Sequence, residues 1–110
     1  MTIFDERESN FEKKFKHDKE LEFKAVARRN KLLGRWAAEQ MGLTGDAVED
    51  YAKSVVLADF DKPGADDVLR KIMDDFQAKG VALSELQVRK RMDELLDAAR
   101  KQILSENKQG

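Results

Sequence analysis

Four windows of this sequence repeat their apolar residues about every 3.6 positions, a period that belongs to helices and not to strands. The first, Asp18 to Met41, places Leu21, Ala25, Val26, Leu32, Leu33, Trp36 and Ala37 on one broad stripe, and Gly42 follows where a left-handed cap belongs. Thr44 is a candidate cap for the second, which runs to Asp59 with Val48, Tyr51, Ala52, Val55 and Val56 on its stripe. Pro63 suits the first turn of the third, whose Val68, Leu69, Ile72, Met73 and Phe76 share a face before Gly80. Ser84 and Gln87 read as a capping box for the fourth, with Val88, Met92, Leu95, Leu96, Ala99 and Ile103 along one side.

The connections are short, so successive helices should return antiparallel. A chain of 110 residues has room for one modest core. The predicted fold is therefore all-α, an antiparallel four-helix bundle over 18–105, with a flexible N-terminal arm over 1–17 and a frayed tail over 106–110. Gly34, inside the first window, marks close packing against a neighbouring helix. Trp36 and Tyr51 lie on stripes and are expected in the core.

Charged residues make up 39% of the chain, yet the net charge is only −1. It is unevenly spread: +3 over 1–35, −5 over 36–80 and +1 beyond. That imbalance suits complementary helices and is too weak to imply a nucleic-acid partner. Opposite charges stand four apart at Glu20 and Lys24, Glu49 and Lys53, Asp66 and Arg70, and Asp67 and Lys71, where each pair would add a few tenths of a kcal/mol. Cysteine is absent, which removes thiol chemistry and is compatible with a reducing cytoplasm. No apolar run reaches the roughly 20 residues that span a bilayer. The opening residues lack the basic-then-apolar order of a secretory signal, so the expected location is cytoplasmic.

Residues 2–17 do not join the stripes. Phe4, Phe11 and Phe15 are spaced i, i+7, i+11, which on a helix aligns three rings on one narrow stripe, and charge surrounds them. The next position of that stripe is Asp18, where it stops. Ordering such a segment alone costs more backbone entropy than three Phe and Ile3 return by burial. It therefore needs a surface to fold on. One destination is a groove on a partner, where the segment docks as a helix; the other is the bundle itself. Spacing does not choose between them.

Other constellations carry little chemistry. His17 and Asp18 have Leu21 at the i+4 position, and there is no second histidine, so no transition-metal site is expected. Asp59, Asp61, Asp66, Asp67, Asp74 and Asp75 fall at helix ends or on outward faces, and first-turn carboxylates are explained by the helix dipole. No paired acid and base is legible, so no enzyme activity and no cofactor are expected. Arg28, Arg29 and Lys31, with Arg35, form the densest basic patch. It reads first as a solvated face or as a partner for the acidic second and third helices, and second as a phosphate contact, which would make the chain a small nucleotide- or nucleic-acid-binding regulator.

The residues Phe4-Asp5-Glu6-Arg7-Glu8, Phe11-Glu12-Lys13-Lys14-Phe15 and His17-Asp18 resemble the N-terminus of the zeta subunits of α-proteobacterial F-type ATP synthases. The stretch from Phe23 to Ala38, then Met41-Gly42-Leu43 and Met92-Asp93-Glu94-Leu95-Leu96, continue the likeness across the chain. The resemblance implies a four-helix bundle whose arm enters a catalytic interface between the α and β subunits beside γ, folds there, and blocks ATP hydrolysis while largely permitting synthesis. Carried over, it makes Phe4, Phe11 and Phe15 apolar anchors and Asp5, Arg7, Glu8, Glu12 and Lys14 the charges that orient the arm. It implies a monomer when free, held at the inner membrane only through ATP synthase, with weak nucleotide binding for which Arg28, Arg29 and Lys31 are candidates. It implies no nucleic-acid partner, no membrane insertion and no metal.

Overall fold

The computed structural model describes residues 19–61 and 64–109, and all of the regular structure among them is helical. Helix α1 spans Lys19–Gln40, α2 Asp46–Asp61, α3 Ala65–Lys79 and α4 Glu85–Gln109. These are the four expected windows, assembled as an all-α four-helix bundle.

The ends follow local chemistry. After α1, Gly42 takes φ +80°. Its N–H donates to the Glu39 carbonyl at 3.0 Å, while Leu43 N–H donates to the Ala38 carbonyl at 3.0 Å. Gly80 closes α3 in the same way at φ 73°, with its own N–H on Gln77 and Val81 N–H on Phe76. Two crossed bonds of this kind satisfy carbonyls that a helix end leaves bare, and they need a left-handed residue that glycine adopts without strain. At the start of α4 the capping box forms in full: Ser84 N–H donates to Gln87 Oε1 at 2.9 Å, and Gln87 N–H donates to Ser84 Oγ at 3.1 Å.

Two helix starts differ from expectation. Helix α2 begins at Asp46 behind Gly45, whose φ is +60° and whose carbonyl accepts from Val48 N–H. Glycine, not Thr44, thus stands directly before the first turn. Helix α3 begins at Ala65 with Gly64 as its cap and no side-chain capping bond. The cap thus follows Pro63, which itself lies outside the described residues. Helix α4 continues through Gln109, and Arg28 holds Glu106 there with bonds of 2.7 and 3.0 Å.

Helix α1 is the centre of the bundle. Arg35 pairs with Glu49, and Asn30 with Asp59, so α2 runs back along α1. Arg91 stacks over the Trp36 ring, and Ile103 packs with Leu21, so α4 also runs antiparallel to α1. The main core gathers Leu33 and Ala37 from α1, Val55 from α2, Val68, Leu69, Ile72 and Phe76 from α3, and Val88 and Met92 from α4. Trp36 meets Phe76 edge-on at 5.9 Å, and both Trp36 and Tyr51 pack against this core, as their stripe positions predict. A smaller cluster of Leu21, Ala25 and Ile103 closes the other end.

At Gly34 the α1–α2 contact is tight. A Cβ there would stand 2.6 Å from Ala52 Cα and 3.2 Å from Ala52 Cβ. The glycine is a packing residue, as expected for its place inside a helix.

Candidate partner-binding site

The outward face of α1 near its start is the most structured candidate surface. Phe23, Ala27 and Lys31 are spaced four apart, and so are Lys24 and Arg28. Together with Val56 from α2 and Ile103 and Glu106 from α4, they line an open groove of about 450 Å³. The groove has an apolar lining, with Phe23 66% exposed. Val56 stands one helical turn before Phe60, itself 73% exposed, so a second large ring lies on the same α2 stripe. Three cations, Lys24, Arg28 and Lys31, lie along it.

The charges around it are partly committed. Arg28 donates to both carboxylate oxygens of Glu106 and to Gln102 Oε1 at 3.2 Å. The Arg28 hydrogen bond holds the exposed Glu106 carboxyl below its usual range. Lys24 pairs with Glu20 at 3.4 Å, the one expected i,i+4 pair of the four that forms as drawn.

The others re-pair, mostly across helices. Glu49 accepts two bonds from Arg35 at 2.9 and 3.2 Å instead of one from Lys53, which holds its carboxyl below the usual range. Asp66 pairs with Arg89 of α4 instead of Arg70, and Lys71 pairs with Asp75 at 3.0 Å instead of Asp67. At Glu49 the planar fork of the Arg35 guanidinium outcompetes the single flexible ammonium of Lys53 one turn away.

The basic patch expected over Arg28, Arg29 and Lys31 divides. Arg28 and Lys31 line the groove, but Arg29 turns inward and is 6% exposed. Its Nε donates to Asn30 Oδ1 at 3.0 Å, Asn30 Nδ2 donates to Asp59 Oδ2 at 2.8 Å, and Asp59 Oδ1 accepts from Gly64 N–H at 3.1 Å. Burial lowers the Arg29 pKa, against the opposing fields of Asp59, Asp93 and Glu22. This chain of bonds ties the middle of α1 to the turn between α2 and α3. A guanidinium so enclosed is a structural group.

The expected anchor and orienting residues Phe4, Asp5, Arg7, Glu8, Phe11, Glu12, Lys14 and Phe15 lie outside the described residues, as does His17. What the pattern missed is the groove itself. Phe23 and Val56 carry it, and the readable signal was Phe23, a large apolar residue standing off the core stripe of its helix. Among the described residues no group of three or more His, Asp or Glu side chains could hold a metal ion. Among the same residues, no helix is long and apolar enough to cross a membrane.

The described residues thus form a small helical bundle with an open groove on one face and a buried arginine network beside it. The family comparison makes this specific. Residues 1–102 match the model of the family described as ATPase inhibitor subunit zeta, and the chain belongs to that family. The chain is also similar to a protein solved by solution NMR, with 43% identity, coverage of 78% of this chain and 98% of that one, and a TM-score of 0.69. No curated protein matches it.

Proposed function

We propose that the chain inhibits ATP hydrolysis by the F-type ATP synthase through binding, with residues 2–17 as the inhibitory segment. What carries this reading is the extent of the family match: it begins at residue 1, so the N-terminal segment is part of what defines the family, not an appendage to the bundle. In the proposed mechanism the segment enters the interface between the α and β subunits beside γ. It folds there as a helix, with Phe4, Phe11 and Phe15 in apolar pockets and Asp5, Arg7, Glu8, Glu12 and Lys14 pairing around the rim. Buried aromatic anchors supply most of such an interface's energy, while rim charges set register and association rate. The bundle, too large to follow, stays outside. A helix wedged against γ obstructs hydrolytic rotation mechanically, with no chemistry of its own. The chain acts in the cytoplasm, at the inner membrane only through the enzyme it binds.

Steady-state hydrolysis by purified ATP synthase tests this. Phe11→Ala or Phe15→Ala should raise the inhibitory concentration tenfold or more, equivalent to about 1.4 kcal/mol of binding, with an unchanged helical circular-dichroism signal. Full potency in both variants refutes the anchor assignment.

A second reading draws on the groove. Arg28 and Lys31, with Lys24, present cations around an aromatic residue, an arrangement that also suits a nucleotide's phosphates and base. Titrating the chain with ATP would then shift amide resonances of Phe23 to Lys31. Shifts scattered over the surface, or none, exclude this reading.

A further inference from the structure

We infer that the bundle carries a docking face of its own, along the outer side of α1 and α2, that receives a short amphipathic helix with carboxylates at its C-terminal end. That this helix belongs to the ATP synthase rests on the proposed function; the chemistry of the face does not.

Apolar exposure is concentrated there. Among the described residues four large apolar side chains are exposed, and three of them, Phe23, Leu57 and Phe60, stand on this side of the molecule. Phe23 lines the groove with Ala27 and Val56, Phe60 lies one turn past Val56, and Leu57 flanks them. Scattered singly, such residues need no explanation; gathered on one face, they mark an interaction site.

Charge gives the face a direction. The Arg35–Glu49 and Asn30–Asp59 bonds lay α2 antiparallel to α1, so Phe23 and Phe60 lie toward one end and Lys31, Arg35, Glu49 and Lys53 toward the other. Arg35 and Glu49 neutralise one another through two hydrogen bonds. Lys31 and Lys53 both stand within the field of Glu49, and among the described residues neither has an ion-pair partner of its own. Elsewhere on the face the cations are taken, Lys24 by Glu20 and Arg28 by Glu106. The uncommitted positive charge is therefore at one end only.

That asymmetry selects the occupant. A bilayer presents anionic headgroups to a whole face at once, yet Glu20 and the exposed Asp61 stand at the end where the rings would enter it. A partner of finite length with one acidic end meets no such opposition. From Phe23 to Arg35, α1 rises about 18 Å, the length of a helix of three turns. A helix laid in the groove packs an apolar stripe against Phe23, Ala27 and Val56, as helices meet ridge into groove. Its C-terminal end carries the negative pole of its dipole, and carboxylates there complement Lys31 and Lys53. The partner helix thus runs parallel to α1, with its acidic end over the two lysines.

On the proposed function, this face gives the enzyme a second hold on the chain. Linked contacts keep one another at high local concentration, so losing one shortens the time the inhibitor stays bound.

The test uses the full chain, which has no cysteine of its own. Benzophenone attached through Leu57→Cys is irradiated with the chain on purified ATP synthase, and the captured peptide is identified by mass spectrometry. It should be one helical segment of the enzyme with an apolar stripe and acidic residues toward its C-terminal end. The same label at Asp74→Cys, an exposed position of α3, should not reach that segment. No capture of the enzyme, capture of a segment without those acidic residues, or equal capture from both positions overturns the proposal. Phe23→Ser with Phe60→Ser should speed the recovery of hydrolysis after dilution about tenfold or more, with an unchanged helical circular-dichroism signal. Lys31→Glu with Lys53→Glu should slow the onset of inhibition at low salt, and the difference should vanish at high salt. Onset and release that match those of the unaltered chain in both variants refute the face as a hold. Vesicles of phosphatidylglycerol should leave the chain in the supernatant; co-sedimentation that the two serine substitutions abolish would assign the face to lipid and overturn the helix. A chain that captures the expected segment yet does not inhibit sinks the proposed function and leaves the docking standing. One that inhibits with no capture does the reverse.

Discussion

Gly34 and Arg29 show what single residues do in this bundle. Both are inside α1, and both lie off the apolar pattern that defines it. Glycine in a helix interior is disfavoured by up to about 1 kcal/mol relative to alanine, so its presence needs a reason, and the 2.6 Å clearance to the Ala52 backbone supplies one. We expect Gly34→Ala to lose stability despite the better helix propensity, because the obstructing atom is backbone and cannot rotate away. Forced overpacking costs about 1–3 kcal/mol. Urea denaturation would show it, and a stabilised variant would mean that α1 and α2 can separate freely.

Arg29 needs Asn30 and Asp59 to be tolerated at 6% exposure. Asp59→Ala removes the carboxylate that offsets its charge and also the acceptor for Gly64 N–H. Hydrogen bonds to charged groups contribute about 1.5–3 kcal/mol, and a thermal melt should show a loss of that order. Sequence reading grouped Arg29 with Arg28 and Lys31 because adjacency along a chain hides direction. Successive helical residues point 100° apart, so Arg29 turns inward while Arg28 and Lys31, three apart, share the outer face.

Tyr51 carries the clearest pH dependence. It packs on the core, donates to Asp75 Oδ2 at 2.7 Å, and lies under Lys71 Nζ at 5.1 Å from its ring. Burial first, and the Asp75 carboxylate second, push its phenol well above the ordinary value of 10.0. The unfolded chain ionises Tyr51 near that value while the folded chain does not. Its contribution is therefore complete below the unfolded pKa and is lost as pH rises toward the folded one. Denaturant midpoints should fall between about pH 9 and 11, and Tyr51→Phe should lessen that fall. An equal fall in the variant would remove the phenol from the explanation.

At the scale of elements, the apolar period and turn chemistry were legible because both are local. All four helices stand where their stripes predict, and the Gly42, Gly80 and Ser84–Gln87 ends form as read. The starts of α2 and α3 were misjudged by a residue or two, since Gly45 and Gly64 compete with better-known capping residues and backbone geometry decides. Ion pairs were the least legible. Four i,i+4 pairs were expected and one forms as drawn, because the partner that wins is set by how helices are laid side by side. The groove was missed for the same reason: Phe23 and Val56 become one surface only when α1 and α2 meet.

For the whole molecule, the account divides labour between a bundle and the segment ahead of it. Among the described residues the bundle has its own core, two clusters running from α1 to the far helices. The segment carries Phe4, Phe11 and Phe15 at the spacing of one helical stripe. Family membership ties the pair to ATP synthase, and the proposed mechanism assigns the block to the segment. The most direct test titrates ATP hydrolysis by the purified enzyme with the full chain and with a chain lacking residues 2–17. The account requires that the full chain inhibit and that the shortened one, still helical, leave hydrolysis untouched. Equal inhibition by both would place the activity in the bundle and contradict it.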